Sequence, residues 1–156
     1  MLDGDPATGA DREHVVRLIG REPMGEFQVV VRDEHGIPVV LRNAPLLHDG
    51  TPMPTLYWLV GVAAVAAVGR LEADGGVDAA EREIGLDTIA VIHHRYAEVR
   101  DALLPVGHNG HRPSGGVGGT RRGVKCLHAH YAHWLAGGDD AVGAWVARRL
   151  ETVDPS

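Results

Sequence analysis

Glu26-Phe27-Gln28-Val29-Val30-Val31-Arg32-Asp33-Glu34-His35-Gly36-Ile37-Pro38-Val39-Val40-Leu41 decides the fold class. Two valine-rich runs, Glu26 to Arg32 and Ile37 to Leu41, flank four polar, turn-forming residues. β-Branched side chains suit a pleated surface, so the stretch reads as a β-hairpin turning at Asp33 to Gly36. His35 in that turn is expected to be solvated. Beyond it, Pro45, Pro52, Pro54 and His48-Asp49-Gly50 interrupt regular structure, and Thr55-Leu56-Tyr57-Trp58-Leu59 is expected to add a third strand.

Outward from the hairpin the pattern becomes helical. Upstream, Asp11 is placed to cap a short helix from Arg12 to Ile19, with Gly20 as its stop, while residues 1–10 are small, acidic and turn-forming and are expected to be a disordered tail. Downstream, alanine and valine from Gly61 to Val68 predict a buried helix ending before Gly75-Gly76, and Asp78 to Ile84 a further short one. Leu86 to Leu104 is the longest helical pattern, with Ile89, Ile92, Tyr96, Val99 and Leu103 as its apolar stripe and Pro105 as its stop. His93 and Arg100 share one edge of that stripe, and His94 points away. After a polar loop from Val106 to Gly119, a helix through Cys126 leads to Gly137-Gly138-Asp139-Asp140. Those aspartates read as caps for a last helix, Ala141 to Leu150, packed through Val142, Trp145, Val146 and Leu150. The expected fold is α+β: a small antiparallel sheet, hairpin plus third strand, covered by four to six helices, with residues 11–151 as a single domain.

Composition narrows the function classes. A length of 156 residues suits one modest core, and a formal net charge of −6 gives no basic field for nucleic acid. One cysteine cannot form an internal disulfide, and the start Met-Leu-Asp-Gly-Asp lacks the regions of a signal peptide. Leu56 to Val68 is the longest apolar run, and about 13 residues fall short of the roughly 20 needed to cross a membrane. The expectation is a cytoplasmic protein with neither nucleic-acid nor membrane partners.

Chemistry concentrates between Gly115 and Trp134, where a glycine run passes through two arginines into a helix carrying Cys126, His128, His130 and His133. With about 100° per residue and Cys126 at zero, His130 falls near 40° and His133 near 340°, while Leu127, Tyr131, Trp134 and Leu135 lie roughly between 80° and 180°. One face is expected to pack and the other to carry chemistry. Cys126 and His130 are close enough to share an ion, whereas His133 is about 10 Å from Cys126 along the axis, too far to join them. His93 from the long helix completes a metal set of His93, Cys126 and His130, with zinc as the expected divalent ion and His128 as acid/base candidate. Gly118, Gly119, Arg121, Arg122, Lys125 and Arg100 are expected to hold a small anion, since glycine N–H groups, a helix N-terminus and cationic side chains all favour negative charge. The glycine run satisfies neither the P-loop nor the dinucleotide fingerprint. A cysteine nucleophile at Cys126 is a variant of the same enzyme class, weakened by a position several residues inside the expected helix.

At Thr51-Pro52-Met53-Pro54-Thr55-Leu56-Tyr57-Trp58-Leu59 and at Gly123-Val124-Lys125-Cys126-Leu127-His128-Ala129-His130-Tyr131, the chain resembles an actinobacterial family, domain-of-unknown-function family 501. The resemblance runs from about Gly20 to Val146 and implies a stand-alone cytoplasmic protein; His93, Tyr96, Arg100, Lys125, Cys126 and His128 match its pattern. It also implies a Cys-x-Cys-Gly hairpin turn in many relatives, where this chain has Asp33-Glu34-His35-Gly36: either Asp33 and His35 serve as oxygen and nitrogen ligands in place of the cysteines, or a metal site at the hairpin has been lost in this chain. Three readings follow. The first is a metal-dependent hydrolase acting on a small phosphate- or carboxylate-bearing substrate. The second is a non-catalytic small-anion-binding or regulatory module with a structural metal or none. In the third, Cys126 and the histidines are ordinary packing and surface residues.

Overall fold

Alternation along the hairpin sorts its side chains onto two faces, and the remaining elements divide between them. In the protein, seen here as a computed structural model describing residues 3–153, β2 (Phe27–Arg32) and β3 (Pro38–Asn43) pair antiparallel, with Val29 opposite Leu41. A register slip after Val29 bulges the strand. Asp33 closes the turn by accepting from the N–H groups of His35 and Ile37 at 2.8 and 3.0 Å, and Gly36 supplies the positive φ of 79°. His35 is exposed. The flanking strands β1 (Asp5–Pro6) and β4 (Tyr57–Leu59) complete a four-stranded antiparallel sheet in the order β1-β2-β3-β4.

Six helices accompany the sheet, and the fold is α+β. They are α1 (Gly9–Ile19), α2 (Val62–Ala73), α3 (Gly76–Ile84), α4 (Leu86–Asp101), α5 (Leu127–Leu135) and α6 (Ala141–Val153). One sheet face packs Phe27, Val29 and Leu41 against Val15 of α1. The other buries Val30, Val40 and Tyr57 with Ile89, Ile92 and Tyr96 of α4, Leu127 and Ala132 of α5, and Trp145 and Val146 of α6. Among the described residues no helix is long and apolar enough to cross a membrane.

Four expectations need correction. The first ten residues do not read as a tail where they are described: Asp5 and Pro6 pair with β2, and Thr8 is the true N-cap of α1. Asp11 is instead the third helical residue, and its carboxylate returns a hydrogen bond to the Thr8 N–H in a capping box. It is then gripped by both terminal nitrogens of Arg32 at 2.8 and 2.9 Å, which ties α1 to the sheet. Helix α2, expected to be buried, buries Val68 while Val62 stays 70% exposed; alanine favours the helix without needing cover, so composition did not imply depth. Helix α4 ends at Asp101, ahead of the expected Leu104, and Val99 and Leu103 of its stripe are exposed while Ile89, Ile92 and Tyr96 are buried.

Helices α5 and α6 meet backbone to side chain. A Cβ on Gly143 would stand 2.4 Å from both the His130 carbonyl oxygen and the Trp134 Cβ. Gly143→Ala gains about 1 kcal/mol of helix propensity, but overpacking of this kind costs about 1–3 kcal/mol and occasionally more. The net expectation is a lower urea midpoint with an unchanged slope.

Candidate metal centre

The buried polar core is a histidine network centred on one carboxylate. Asp140 precedes α6 and caps it by accepting from the Gly143 N–H at 3.0 Å. The same carboxylate receives the Nδ1 of His130 at 2.8 Å and the Nδ1 of His133 at 2.9 Å. An ionised carboxylate only accepts, so both imidazoles carry their proton on Nδ1 and donate it. All three side chains are buried, and the His130 Nε2 finds no partner. His133 is clasped by aromatic rings, stacked on Tyr57 at 5.8 Å and edge-on to Tyr96 at 5.0 Å. The Tyr96 hydroxyl in turn accepts the N–H groups of Leu56 and Tyr57, anchoring the approach to β4 on α4.

This network sets acid stability. Burial alone would raise the Asp140 pKa, but donation from His130 and His133 outweighs it and holds the group at about 2. The Arg32 fork likewise holds Asp11 well below the ordinary carboxylate range, against the opposing effect of burial. Folded pKa values depressed below unfolded ones mean stability that is full above about pH 4 and is lost as pH falls through the folded values. For Asp140 the drop from 3.8 to about 2 is worth about 2 kcal/mol. The urea midpoint is therefore expected to fall most steeply below about pH 4, and Asp140→Asn should flatten that fall.

The Cys126 neighbourhood lies at the start of α5. Cys126 is the N-cap, extended at φ −153° and ψ 150°, and its side chain does not cap the helix. Glu72, from the last turn of α2, takes over: its Oε2 accepts the Leu127 N–H at 2.6 Å. Its Oε1 stands 3.2 Å from the Nδ1 of His128, whose Nε2 donates to the Val65 carbonyl at 3.1 Å. One ligand atom each from Glu72, Cys126 and His128 lie within 4.8 Å of one another, close enough for a single metal ion. All three are half-buried. Contact with the Cys126 sulfur, opposed by burial and helped by the Val65 carbonyl and Glu72, raises the His128 pKa to about 9.

The residues named from sequence separate into two places. His93 and His130 approach each other, ring centroids 5.8 Å apart, but Cys126 groups with Glu72 and His128 instead. Both His93 nitrogens are engaged: Nδ1 accepts the Val117 N–H at 3.0 Å, and Nε2 donates to the Gly123 carbonyl at 2.7 Å. That pattern holds the ring neutral, and burial, which lowers its pKa, favours the same state. His93 thus clamps both ends of the glycine loop. Arg100 does the same from one turn-pair further along α4, buried and donating to the carbonyls of Pro54 and Gly115 at 3.1 and 3.0 Å. Both residues therefore face the glycine loop as fasteners, His93 through Val117 and Gly123 and Arg100 through Gly115. Gly118 and Gly119 are half-buried with positive φ, and the Gly119 N–H is spent on Gly116. Arg121, Arg122 and Lys125 are exposed. The expected division of α5 holds only in part: Leu127 packs as expected, but His130 and His133 are buried as well, while Trp134 is 38% exposed. Asp33 and His35 stay in the exposed hairpin turn.

Sequence reasoning missed Glu72 and the double role of Asp140. A carboxylate in the last turn of a helix is disfavoured by the helix dipole. That was the one local sign that Glu72 served another element.

A family model matches residues 29–148. The chain belongs to the family described as Protein of unknown function (DUF501). A search of curated proteins finds no match, and a search of solved structures finds none. The DUF501 region opens inside β2 and runs into α6, so it takes in Glu72, Cys126 and His128 as well as the Asp140 network.

Proposed function

We propose that the protein is a metal-dependent hydrolase acting on a small phosphate- or carboxylate-bearing substrate, with Glu72, Cys126 and His128 as the ligands of one divalent ion. The convergence of those three ligand atoms carries the reading. A carboxylate, a thiolate and an imidazole together suit zinc, and three protein ligands leave a position for water. A bound ion of this kind supplies a water whose pKa is lowered to about 7. Second contacts support the assignment: His128 Nε2 is fixed on Val65, which leaves Nδ1 for the ion, and Glu72 Oε2 is fixed on Leu127, which leaves Oε1. Cys126 stands at the N-cap of α5, with its backbone extended, beside Glu72 and His128. Lys125 adjoins it and packs beneath Gly118, where a Cβ would meet the Lys125 Cβ at 3.4 Å. Lys125, Arg121 and Arg122 are then the cations for the substrate anion.

A second reading rests on the same N-cap position. Without metal, His128 lies between Glu72 and the Val65 carbonyl as a charged imidazolium beside Cys126, an arrangement that activates a cysteine nucleophile. Turnover separates the readings. Protein purified without a histidine tag is expected to hold one equivalent of zinc by elemental analysis and to hydrolyse p-nitrophenyl phosphate or p-nitrophenyl acetate. Cys126→Ser should lose both metal and turnover, and Arg121→Gln or Arg122→Gln should raise KM at unchanged kcat. Turnover that survives chelation points to the thiol. Stoichiometric metal without turnover leaves the binding module, and absence of both overturns the proposal.

A further inference from the structure

A second site stands apart from Glu72, Cys126 and His128, at the end of the sheet nearest the C-terminus of α4. There a cavity of about 370 Å³ is walled by Phe27, Pro45 and Leu103, with Gln28 and Arg42 among its polar lining. That volume lies within the roughly 300–1,000 Å³ of small-molecule sites. Gln28 and Arg42 are paired in register across β2 and β3, and Arg42 is in turn opposite Tyr57 on β4. Arg42 donates to the Gln28 side-chain oxygen and reaches the Tyr57 hydroxyl. Both partners are neutral. No carboxylate of the described residues forms an ion pair with Arg42. The one acid in the lining, Glu26, directs its carboxylate to Arg12 at 3.7 Å and His48 at 3.8 Å. The cavity therefore combines apolar walls with a positive charge that has no opposite charge paired to it among the described residues.

We propose that this cavity binds a small carboxylate carrying an apolar body, the carboxylate on Arg42 and the body against Phe27, Pro45 and Leu103. Guanidinium recognises a carboxylate by two parallel hydrogen bonds, and the two neutral partners hold the group in place without neutralising it. Area and charge must act together here. An anion without an apolar body uses only Arg42, and an apolar molecule without charge leaves the guanidinium unmatched.

The test is an amide NMR titration of the full chain with benzoate, with benzyl alcohol as the uncharged analogue and inorganic phosphate as the anion lacking a body. Benzoate is expected to give saturable shifts at residues 26–28 and 42–44, and to bind at least about tenfold more tightly than either comparator. Arg42→Gln should weaken benzoate by a similar factor. Because Arg42 also holds Tyr57, Leu103→Asp provides a second variant: Leu103 is 43% exposed, so the fold tolerates the change, while the new carboxylate repels the ligand at the wall. No saturable shift with benzoate, shifts confined to other residues, or equal binding of benzyl alcohol or phosphate would each overturn the proposal.

Discussion

Asp140→Ala is expected to lower the stability of the protein by about 3–5 kcal/mol, which for a chain of this size is a fall of about 10 °C or more in Tm. The side chain does three things at once, accepting from His130, His133 and the α6 backbone at Gly143. Its removal strands two buried imidazole N–H groups and an uncapped helix, in a region where His130 already has one nitrogen unpaired. Unpaired buried donors carry the full cost of desolvation, so the loss exceeds that of the cap alone at about 1 kcal/mol. Asp140→Asn keeps the shape and one acceptor oxygen but turns an N–H₂ toward an imidazole, and roughly half the loss is expected. Urea denaturation of the three proteins measures the series. An alanine variant within about 1 kcal/mol of the parent would mean that Asp140 is a helix cap and nothing more.

The same residue shows how far the sequence could be read. Hairpin, third strand and the later helices were visible because valine alternation, glycine stops and the Pro105 break are local signals, each acting within a few residues. Burial depth was not local. The alanines of α2 look the same whether covered or exposed, and the face of α5 that packs depends on where Asp140 returns, ten residues after His130 and seven after His133. Helix start mattered most for the site. Placing Cys126 inside a helix aligned it with His130 on one angular face; as N-cap its extended backbone releases the sulfur from that face. It turns to α2 instead, whose Glu72 lies 54 residues upstream by sequence number. Only packing of α2 against α5 could reveal that partner, and a net charge or a histidine count carries no trace of it.

Two ligand sets, one read from spacing and one from geometry, predict opposite results for zinc affinity. In competition with a chromophoric chelator, His128→Ala is expected to weaken zinc by about 100-fold or more, about 2.7 kcal/mol, since it removes one of the three proposed ligands. Glu72→Gln should fall in the range of about 10–100-fold, because the amide keeps a weak oxygen donor and the contact to Leu127. His93→Gln should leave affinity within about threefold, a difference of under 1 kcal/mol. Its nitrogens face Val117 and Gly123, so the substitution loosens the glycine loop and lowers stability without removing a ligand. Each variant is measured at a temperature where circular dichroism shows it folded, which separates loop damage from lost coordination. A His93→Gln protein that loses zinc as strongly as His128→Ala would return the metal to the His93, Cys126 and His130 set, and would require α5 to rewind around Cys126 when the ion binds. Retention of zinc by His93→Gln, with its loss in His128→Ala, assigns the ion to the junction of α2 and α5, where the buried histidines serve the fold and the half-buried one serves the metal.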